Sequence, residues 1–197
     1  MGTVKSLLLG MCFVLGACTS QTSTVQTTEK GTQWEWQNGT IVVKTPERPA
    51  GQKSVLGLTT PKLEAVRVGF VGLGMRGPGA VERFTYIPGT QVVALCDYEE
   101  ARADKCQELL KKASMPKAAV YSGDKGYEEL CKRDDIDLVY IAADWLHHFP
   151  VAKCALENGK NVAIEVPSAM NLQECWDLIN LSESTRKPVS YTHLRSP

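Results

Sequence analysis

The chain has 197 residues, which is enough for one packed domain with additional segments, and its 22 lysines and arginines balance its 22 aspartates and glutamates. This balance, without a basic stripe interleaved with aromatic residues, excludes a general electrostatic attraction to nucleic acid. Because no zinc-type Cys-x-x-Cys pair occurs, we expect no metal site.

Residues 1–18 have the pattern of an export signal. Lys5 gives a short positive region, and the apolar run that follows it is too short to span a bilayer. The run ends in Leu15-Gly16-Ala17-Cys18, which resembles a bacterial lipobox. An ordinary secretory signal with a chance cysteine is the alternative. We predict an exported bacterial lipoprotein, lipidated at Cys18 and attached by this anchor alone to the membrane in the periplasm or at the cell surface.

Residues 19–61 connect this anchor to the domain that follows. Residues 19–30 are rich in serine, threonine and glutamine, as in flexible linkers. Asn38-Gly39 lies between two runs of strand-forming residues, which predicts a tight hairpin. Proline and glycine then recur over residues 45–61, which predicts an irregular lead-in.

A glycine-rich loop follows the first buried strand. The apolar run 66–71 reads as a parallel strand, and it leads directly into Gly72-x-Gly74-Met75-Arg76-Gly77. In such a loop the first glycine permits a tight turn and the second admits a pyrophosphate. The third lets the following helix pack closely, so that the N–H groups of that helix face the phosphates. A purely structural glycine turn is the alternative.

A second strand-like run, residues 91–96, ends in Asp97, twenty residues after Gly77. A carboxylate at this position can accept both hydroxyls of an adenosine ribose, and it repels a 2′-phosphate. Strand, glycine loop, helix, strand and acid thus occur in the order of a dinucleotide site. We predict NAD rather than NADP as the cofactor.

The alternation of strands and helices continues through residues 62–190. We predict helices over residues 99–113, 127–132, 150–158 and 171–182, and strands over residues 136–142, 161–164 and 188–191. Five or six strands would form a doubly wound parallel sheet of the Rossmann type. Its ligand crevice would lie beyond the carboxyl ends of the strands.

Two further groups of residues fall at those carboxyl ends. Trp145-Leu146-His147-His148 follows the fourth strand, and Glu165-Val166 follows the fifth. The histidines could donate to a ribose or transfer a proton, or they could simply begin the next helix. The catalytic residues are unknown at this point, and His148 is the single candidate. We interpret Asp124 and Asp144 as loop and turn residues.

These motifs resemble the amino-terminal half of the Gfo/Idh/MocA superfamily over residues 54–190. The residues that carry the likeness are Arg67 to Gly77, Cys96-Asp97, Trp145 with His148, and Glu165-Val166-Pro167. Sugar dehydrogenases of that superfamily usually have Glu-Lys-Pro, with the lysine at the hydride-transfer centre, where this chain has Val166. Together, Val166 and Met75-Arg76-Gly77 form a pattern that is similar to that of glycoside hydrolase family 109, the NAD-dependent α-N-acetylgalactosaminidases.

The resemblance implies an unusual hydrolysis of a glycan that contains N-acetylgalactosamine. NAD⁺ would oxidise the C3 hydroxyl of the sugar, the aglycone would be eliminated across C1–C2, water would add, and C3 would be reduced again. It also implies that Met75 and Arg76 lie along the cofactor phosphates and that Asp97 holds the adenosine ribose. Trp145 to His148 would contact the cofactor, and Glu165 with Val166 would lie near the nicotinamide.

The family continues into a second α/β domain that binds substrate, whereas this sequence ends at Pro197. We therefore expect residues 191–197 to be foreign or truncated sequence, and the chain to be an inactive fragment that carries the cofactor half. An NAD-dependent sugar or polyol dehydrogenase is the main alternative. A non-enzymatic nucleotide-binding or surface lipoprotein is a second one. The oligomeric state stays open, a homo-oligomer included.

Overall fold

The computed structural model describes residues 26–27 and 33–192. The predicted signal segment with Cys18, most of the predicted tether and residues 193–197 lie outside the described residues. Within the described part, none of the helices combines the length and the apolar character needed to cross a bilayer.

A small antiparallel sheet precedes the main domain. It consists of β1 (Gln26–Thr27), β2 (Gln33–Gln37) and β3 (Thr40–Val43), in the order β1-β2-β3. Asn38 and Gly39 both have positive φ, 50° and 78°, as a two-residue hairpin turn requires. The predicted hairpin is therefore confirmed.

The main domain is a parallel sheet of six strands with helices on both faces. The strands are β4 (Val66–Val71), β5 (Thr90–Asp97), β6 (Ala119–Ser122), β7 (Leu138–Ile141), β8 (Asn161–Glu165) and β9 (Val189–Thr192). The helices are α1 (Gly77–Thr85), α2 (Glu100–Lys112), α3 (Gly126–Cys131), α4 (Trp145–Glu157) and α5 (Leu172–Thr185). The strand order is β6-β5-β4-β7-β8-β9, so the direction of winding reverses between β4 and β7. Ligands bind at such a reversal point, and the predicted Rossmann-type fold is confirmed.

Alternating side chains of the strands form a separate core on each face. Val68 and Phe70 of β4 pack with α1 and α2, whereas Val71 packs with α3, α4 and α5. Gly69 lies on the second face, where a Cβ would come within 2.9 Å of the Leu130 side chain on α3. A side chain at this position would therefore force the Leu130 side chain to shift.

Helix α4 begins five residues earlier than the sequence predicted. Pro150 had indicated the start, because proline favours the first turn of a helix. Instead, Asp144 caps the helix: its Oδ1 accepts a hydrogen bond of 3.0 Å from the N–H of Leu146. Pro150 lies inside the helix. As a result, Trp145 to His148 form the first turn of α4, and this turn lies at the crevice. The alternative that the histidines begin the next helix therefore describes their position.

Helix α5 confirms the predicted cap and ends later than predicted. The Oδ1 of Asn171 accepts from the N–H of Glu174 at 3.1 Å, and the carboxylate of Glu174 accepts from the N–H of Met170 at 2.8 Å. The lead-in packs against this helix through Gln52, whose amide donates to the carbonyl of Asn180 at 3.0 Å. Strand β9 follows and pairs with β8 as far as Thr192.

Candidate nucleotide-binding site

A cavity of about 1110 Å³ lies at the carboxyl ends of β4, β5, β7 and β8. Pockets for small molecules have volumes of roughly 300–1,000 Å³, so this space accommodates a large ligand. Eleven of the twelve predicted cofactor-binding residues line it: Gly72, Gly74, Met75, Arg76, Asp97, Trp145, Leu146, His147, His148, Glu165 and Val166. Gly77, the twelfth, lies just behind the loop.

Gly72 and Gly77 are required by the packing of the loop itself. Gly72 has φ of +91°, and a Cβ there would lie 2.3 Å from the backbone nitrogen of Ala143. A Cβ on Gly77 would lie 2.1 Å from the carbonyl oxygen of Gly72. Real structures do not contain such contacts. The tight turn and the close approach of helix and strand that the sequence predicted are therefore both present.

Gly74 is different, because it faces the cavity. A Cβ at Gly74 would meet only the flexible end of Arg102, at 3.4 Å. The backbone there is open to a ligand rather than packed against protein. Helix α1 begins three residues later, and its N-cap residue Arg76 makes no side-chain capping hydrogen bond. The first N–H groups of α1 are thus left for an anion in the cavity.

Asp97 is buried and holds the glycine loop in place. Its Oδ2 accepts from the N–H of Leu73 at 2.6 Å, and its Oδ1 accepts from the N–H of Glu99 at 3.0 Å. Arg102 donates to the same Oδ1 at 3.4 Å. A carboxylate offers roughly four acceptor sites, so about one remains for a ligand. The sequence had predicted hydrogen bonds to both ribose hydroxyls and had not predicted this structural role.

Arg102 also lies at this end of the cavity, and the sequence had not predicted it as a site residue. Its guanidinium contacts Glu99 at 2.9 Å and Asp97 at 3.4 Å. One positive charge between two carboxylates leaves this end of the cavity net negative. A 2′-phosphate would be repelled here, which favours NAD over NADP.

His147 bridges two loops at the rim. Its Nδ1 lies 2.6 Å from Oδ2 of Asp144, and its Nε2 lies 3.4 Å from Oδ1 of Asp124. Burial lowers the pKa of His147, but the two carboxylates outweigh burial and hold the pKa above its usual value. Burial raises the pKa of Asp144, and here too the partners outweigh it, so that this pKa is lowered. The three side chains therefore favour a charged cluster.

His148, the candidate catalytic residue, is buried inside the first turn of α4. Its Nδ1 lies 2.6 Å from the carbonyl oxygen of Pro167, and its Nε2 lies 2.9 Å from that of Ala143. Since both ring nitrogens face backbone carbonyls, neither is directed at a substrate in this arrangement. These contacts join α4 to the loop after β8, so His148 holds that loop in position against the helix.

Glu165 ends β8 and is held by an aromatic cluster. The hydroxyl of Tyr140 donates to Oε1 of Glu165 at 2.8 Å. The ring of Tyr140 packs on Phe70 and Phe84, with centroid separations of 5.2 and 5.6 Å. The next residue, Val166, is 53% exposed and lines the same cavity. The carboxylate is thus fixed in orientation beside an aliphatic side chain.

The sequence did not predict several further cavity residues, among them Tyr98, Arg102, Tyr127 and Met170. Tyr98 and Arg102 come one and five residues after Asp97, so their distance from that strand end could have indicated them. Tyr127 lies on α3 and Met170 follows Pro167, and neither has a local signal. Asp124 and Asp144, which we had interpreted as loop residues, also line the cavity.

Residues 66–193 match the oxidoreductase family Gfo/Idh/MocA, described as having an NAD-binding Rossmann fold. The chain belongs to this family. It is 79% identical over 188 residues to glycosyl hydrolase family 109 protein 4 of Phocaeicola vulgatus, and 57% identical over 185 residues to family 109 protein 1 of Bacteroides thetaiotaomicron. These alignments cover 95% and 93% of this chain, but only 36% and 38% of those proteins. The chain therefore spans little more than a third of the length of these relatives.

Solved structures of other proteins share the fold. The myo-inositol dehydrogenase of Lactobacillus casei, in complex with NAD(H) and myo-inositol, has a TM-score of 0.59 at 24% identity, over 66% of this chain and 37% of that one. Biliverdin reductase of Synechocystis, with biliverdin and NADP⁺, has a TM-score of 0.56 at 27% identity, over 65% of this chain and 38% of that one. The predicted family and the NAD cofactor are thus confirmed. The open backbone at Gly74 and the uncapped start of α1 fit this cofactor.

Proposed function

We propose that this chain supplies the cofactor-binding part of an NAD-dependent glycosidase that acts on glycans carrying α-linked N-acetylgalactosamine. The relatives named glycosyl hydrolase family 109 support the glycosidase class. The identity of the sugar and its anomer comes from the resemblance to glycoside hydrolase family 109.

The observation that carries the proposal is Val166. In sugar dehydrogenases of this superfamily the resemblance leads us to expect a lysine at this position. Here the side chain is aliphatic, it lies at the cavity, and no lysine is among the described residues that line that cavity. A dehydrogenase without this lysine would lack its proton-transfer group. A glycosidase of the proposed type oxidises C3 only transiently and reduces it again. Its acid and base could be other residues.

Each part of the cavity has a separate task in this proposal. The open backbone at Gly74, the start of α1 and the guanidinium of Arg76 bind the pyrophosphate. Asp97 binds a ribose hydroxyl through its remaining acceptor site. Glu165, oriented by Tyr140, lies at the end of the cavity where the sugar would approach. When bound, NAD⁺ supplies a reversible oxidation at C3 of the sugar.

The test uses the product of the complete source gene with a chromogenic α-N-acetylgalactosaminide. We expect aglycone release that requires NAD⁺ and leaves no net NADH. In deuterated water, the released sugar should carry deuterium at C2, because elimination removes that proton and addition replaces it from solvent. Hydrolysis by protein from which bound NAD⁺ has been removed, or hydrolysis without deuterium at C2, would contradict the proposed route.

The same assay separates the glycosidase from a dehydrogenase. Net NADH accumulation with a free sugar or polyol, and no release of aglycone, would replace the glycosidase by a dehydrogenase. If the protein binds NAD⁺ but acts on neither class of substrate, the non-enzymatic nucleotide-binding alternative stands.

We also propose that the protein is an exported lipoprotein anchored through Cys18, on the strength of the signal-like pattern in residues 1–18. Metabolic labelling with a radioactive fatty acid tests this proposal. Label should enter the parent chain and be lost from Cys18→Ser, while Cys12→Ser keeps it. Absence of label from both the parent chain and the Cys12→Ser variant would rule out the anchor.

A further inference from the structure

The small antiparallel sheet before the main domain has one apolar face. Direct partners in an antiparallel pair lie on the same face, as do residues two apart in a strand. Trp34 pairs with Val43. Trp36, two residues further along β2, pairs with Ile41. These four side chains form what we call the tryptophan face, and it is open to solvent: Trp36 is 56% exposed, Ile41 53% and Val43 37%, and Trp34 is partly exposed.

The opposite face of this sheet is mainly polar. It carries Glu35, Gln37 and Thr40, and the side-chain amide of Gln37 donates a hydrogen bond to the carboxylate of Glu35. Val42, the partner of Glu35, is the apolar residue on this side. It is 37% exposed, as Val43 is. The sheet is therefore amphipathic, and its two faces carry one valine each at adjacent positions and equal exposure.

The chemistry of the tryptophan face favours lipid over a sugar. The two indole rings are 6.5 Å apart between centroids and are inclined at 77°, so they do not form one flat platform. A sugar site also needs polar groups that fix the ligand, whereas Ile41 and Val43 are aliphatic. Tryptophan with aliphatic neighbours is typical of surfaces at the boundary between lipid headgroups and acyl chains, where the ring is shielded and its N–H stays hydrated.

The sequence places this face close to the proposed lipid anchor. Strand β1 begins at Gln26, eight positions after Cys18. Such a segment spans at most about 29 Å, because each residue adds no more than about 3.6 Å even when the chain is fully extended. Gln26 is the direct partner of Trp34, so an anchor on Cys18 would confine the tryptophan face to the same short distance from the bilayer. A short tether of this kind gives the second contact a high effective concentration.

We propose that the tryptophan face binds the headgroup region of the membrane to which Cys18 is attached. Its indole and aliphatic side chains enter the boundary between headgroups and acyl chains, while the polar face of the sheet stays in water. This contact adds to the lipid anchor and determines which side of the small sheet faces the bilayer. The inference rests on the proposed anchor, and it does not depend on the glycosidase activity.

The experiment uses the lipid-bearing chain, purified from membranes and reconstituted into vesicles of phosphatidylethanolamine and phosphatidylglycerol. Its tryptophan emission is compared with that in vesicles whose acyl chains carry bromine near the headgroups, because bromine quenches only nearby tryptophans. Two of the chain's four tryptophans would lie at the interface, so we expect bromine to remove roughly a third to a half of the emission. Replacing both Trp34 and Trp36 by phenylalanine should abolish this quenching, whereas the control Trp145→Phe should keep it.

A matched pair of variants tests which face is bound. Val43→Glu puts a carboxylate on the tryptophan face and should remove most of the quenching. Val42→Glu adds the same charge at the same exposure on the opposite face and should keep the quenching. Circular dichroism of the close pair of Trp34 and Trp36 verifies that the hairpin is folded in both variants, and binding of NAD⁺ verifies the main domain.

The outcomes separate this surface from the anchor itself. Equal quenching in the two valine variants, or quenching that survives the loss of both tryptophans, would refute the proposal. Absence of quenching in a chain that carries lipid on Cys18 would refute the surface and leave the anchor in place, whereas a chain without lipid would overturn both. In an unquenched chain, a cross-linked dimer or an emission shift with added N-acetylgalactosamine would assign the face to a second copy or to a sugar instead.

Discussion

The glycine loop allows binding to be tested separately from folding, through Gly74→Ala. A methyl group at Gly74 would meet only the flexible end of Arg102, at 3.4 Å, and the φ of this residue does not lie in the left-handed region. Replacing glycine by alanine at such a position stabilises a protein by about 0.4–1 kcal/mol, because the unfolded chain has less freedom to lose. The variant should therefore fold at least as stably as the parent.

The same methyl group would occupy space that the pyrophosphate needs. Overpacking by one such group costs about 1–3 kcal/mol, and a loss of about 2 kcal/mol corresponds to roughly thirtyfold weaker binding. The neighbouring Gly77→Ala should behave in the opposite way. Its Cβ would collide with the Gly72 carbonyl at 2.1 Å, so the main loss would be in stability.

Calorimetric titration with NAD⁺ and thermal unfolding of the same samples measure the two effects. Gly79→Ala is the control, because Gly79 lies in α1 with Gly77 and a Cβ there would meet only Arg83, at 3.6 Å. This control should keep the parent's affinity and stability or gain slightly in stability. A Gly74→Ala protein that binds NAD⁺ within about threefold of the parent, a difference of roughly 0.7 kcal/mol, would refute the assignment of this loop to the pyrophosphate.

Three other outcomes follow from the site. Asp97→Asn should weaken NAD⁺ binding about 10- to 150-fold, since a hydrogen bond to a charged group contributes about 1.5–3 kcal/mol. Titrations should also show a smaller difference in affinity between NAD⁺ and NADP⁺. The exposed control Asp104→Asn should change neither affinity. Gly72→Ala should lower the Tm sharply, because its Cβ has no space and its φ is +91°. His147→Gln should lower the Tm most between pH 3.8 and 6.5, which are the ordinary pKa values of Asp144 and His147. The loss of Tm should become smaller as the pH rises through the raised pKa of His147. A difference in Tm that does not depend on pH would contradict the charged cluster.

Most of the sheet could be predicted, because its signals are local. The strand of residues 66–71, its glycines and the run ending at Asp97 are contiguous, and buried parallel strands have recognisable apolar runs. The start of α4 was mislocated because Pro150 is a strong local sign of a first turn. The better sign was Asp144, whose side chain caps the helix. Both signals were in the sequence, and only the geometry of the cap distinguishes them.

The site was predicted less completely, because its hydrogen bonds join distant segments. Asp97 and Leu73 are 24 residues apart and meet only because β4 and β5 are neighbours. Asp124 lies in the loop after β6 and His147 lies in the first turn of α4, after β7. Two other strands separate β6 from β7 in the sheet. Spacing in the sequence predicted that Leu73, Asp97 and His147 follow strand ends and that Asp124 is a loop or turn residue. It did not predict which of these residues touch.

The role of Asp97 in the protein itself bears on how the cofactor is held. The N–H of Gly72 donates to the carbonyl of Cys96 at 2.9 Å, and that of Leu73 donates to Asp97 at 2.6 Å. Both bonds fix the glycine loop against β5 through protein groups alone. Because these bonds are made within the protein, they reduce the entropy of ordering the loop that binding has to supply. A preorganised loop of this kind favours tight retention of NAD, which a glycosidase that regenerates its cofactor in every turnover would require.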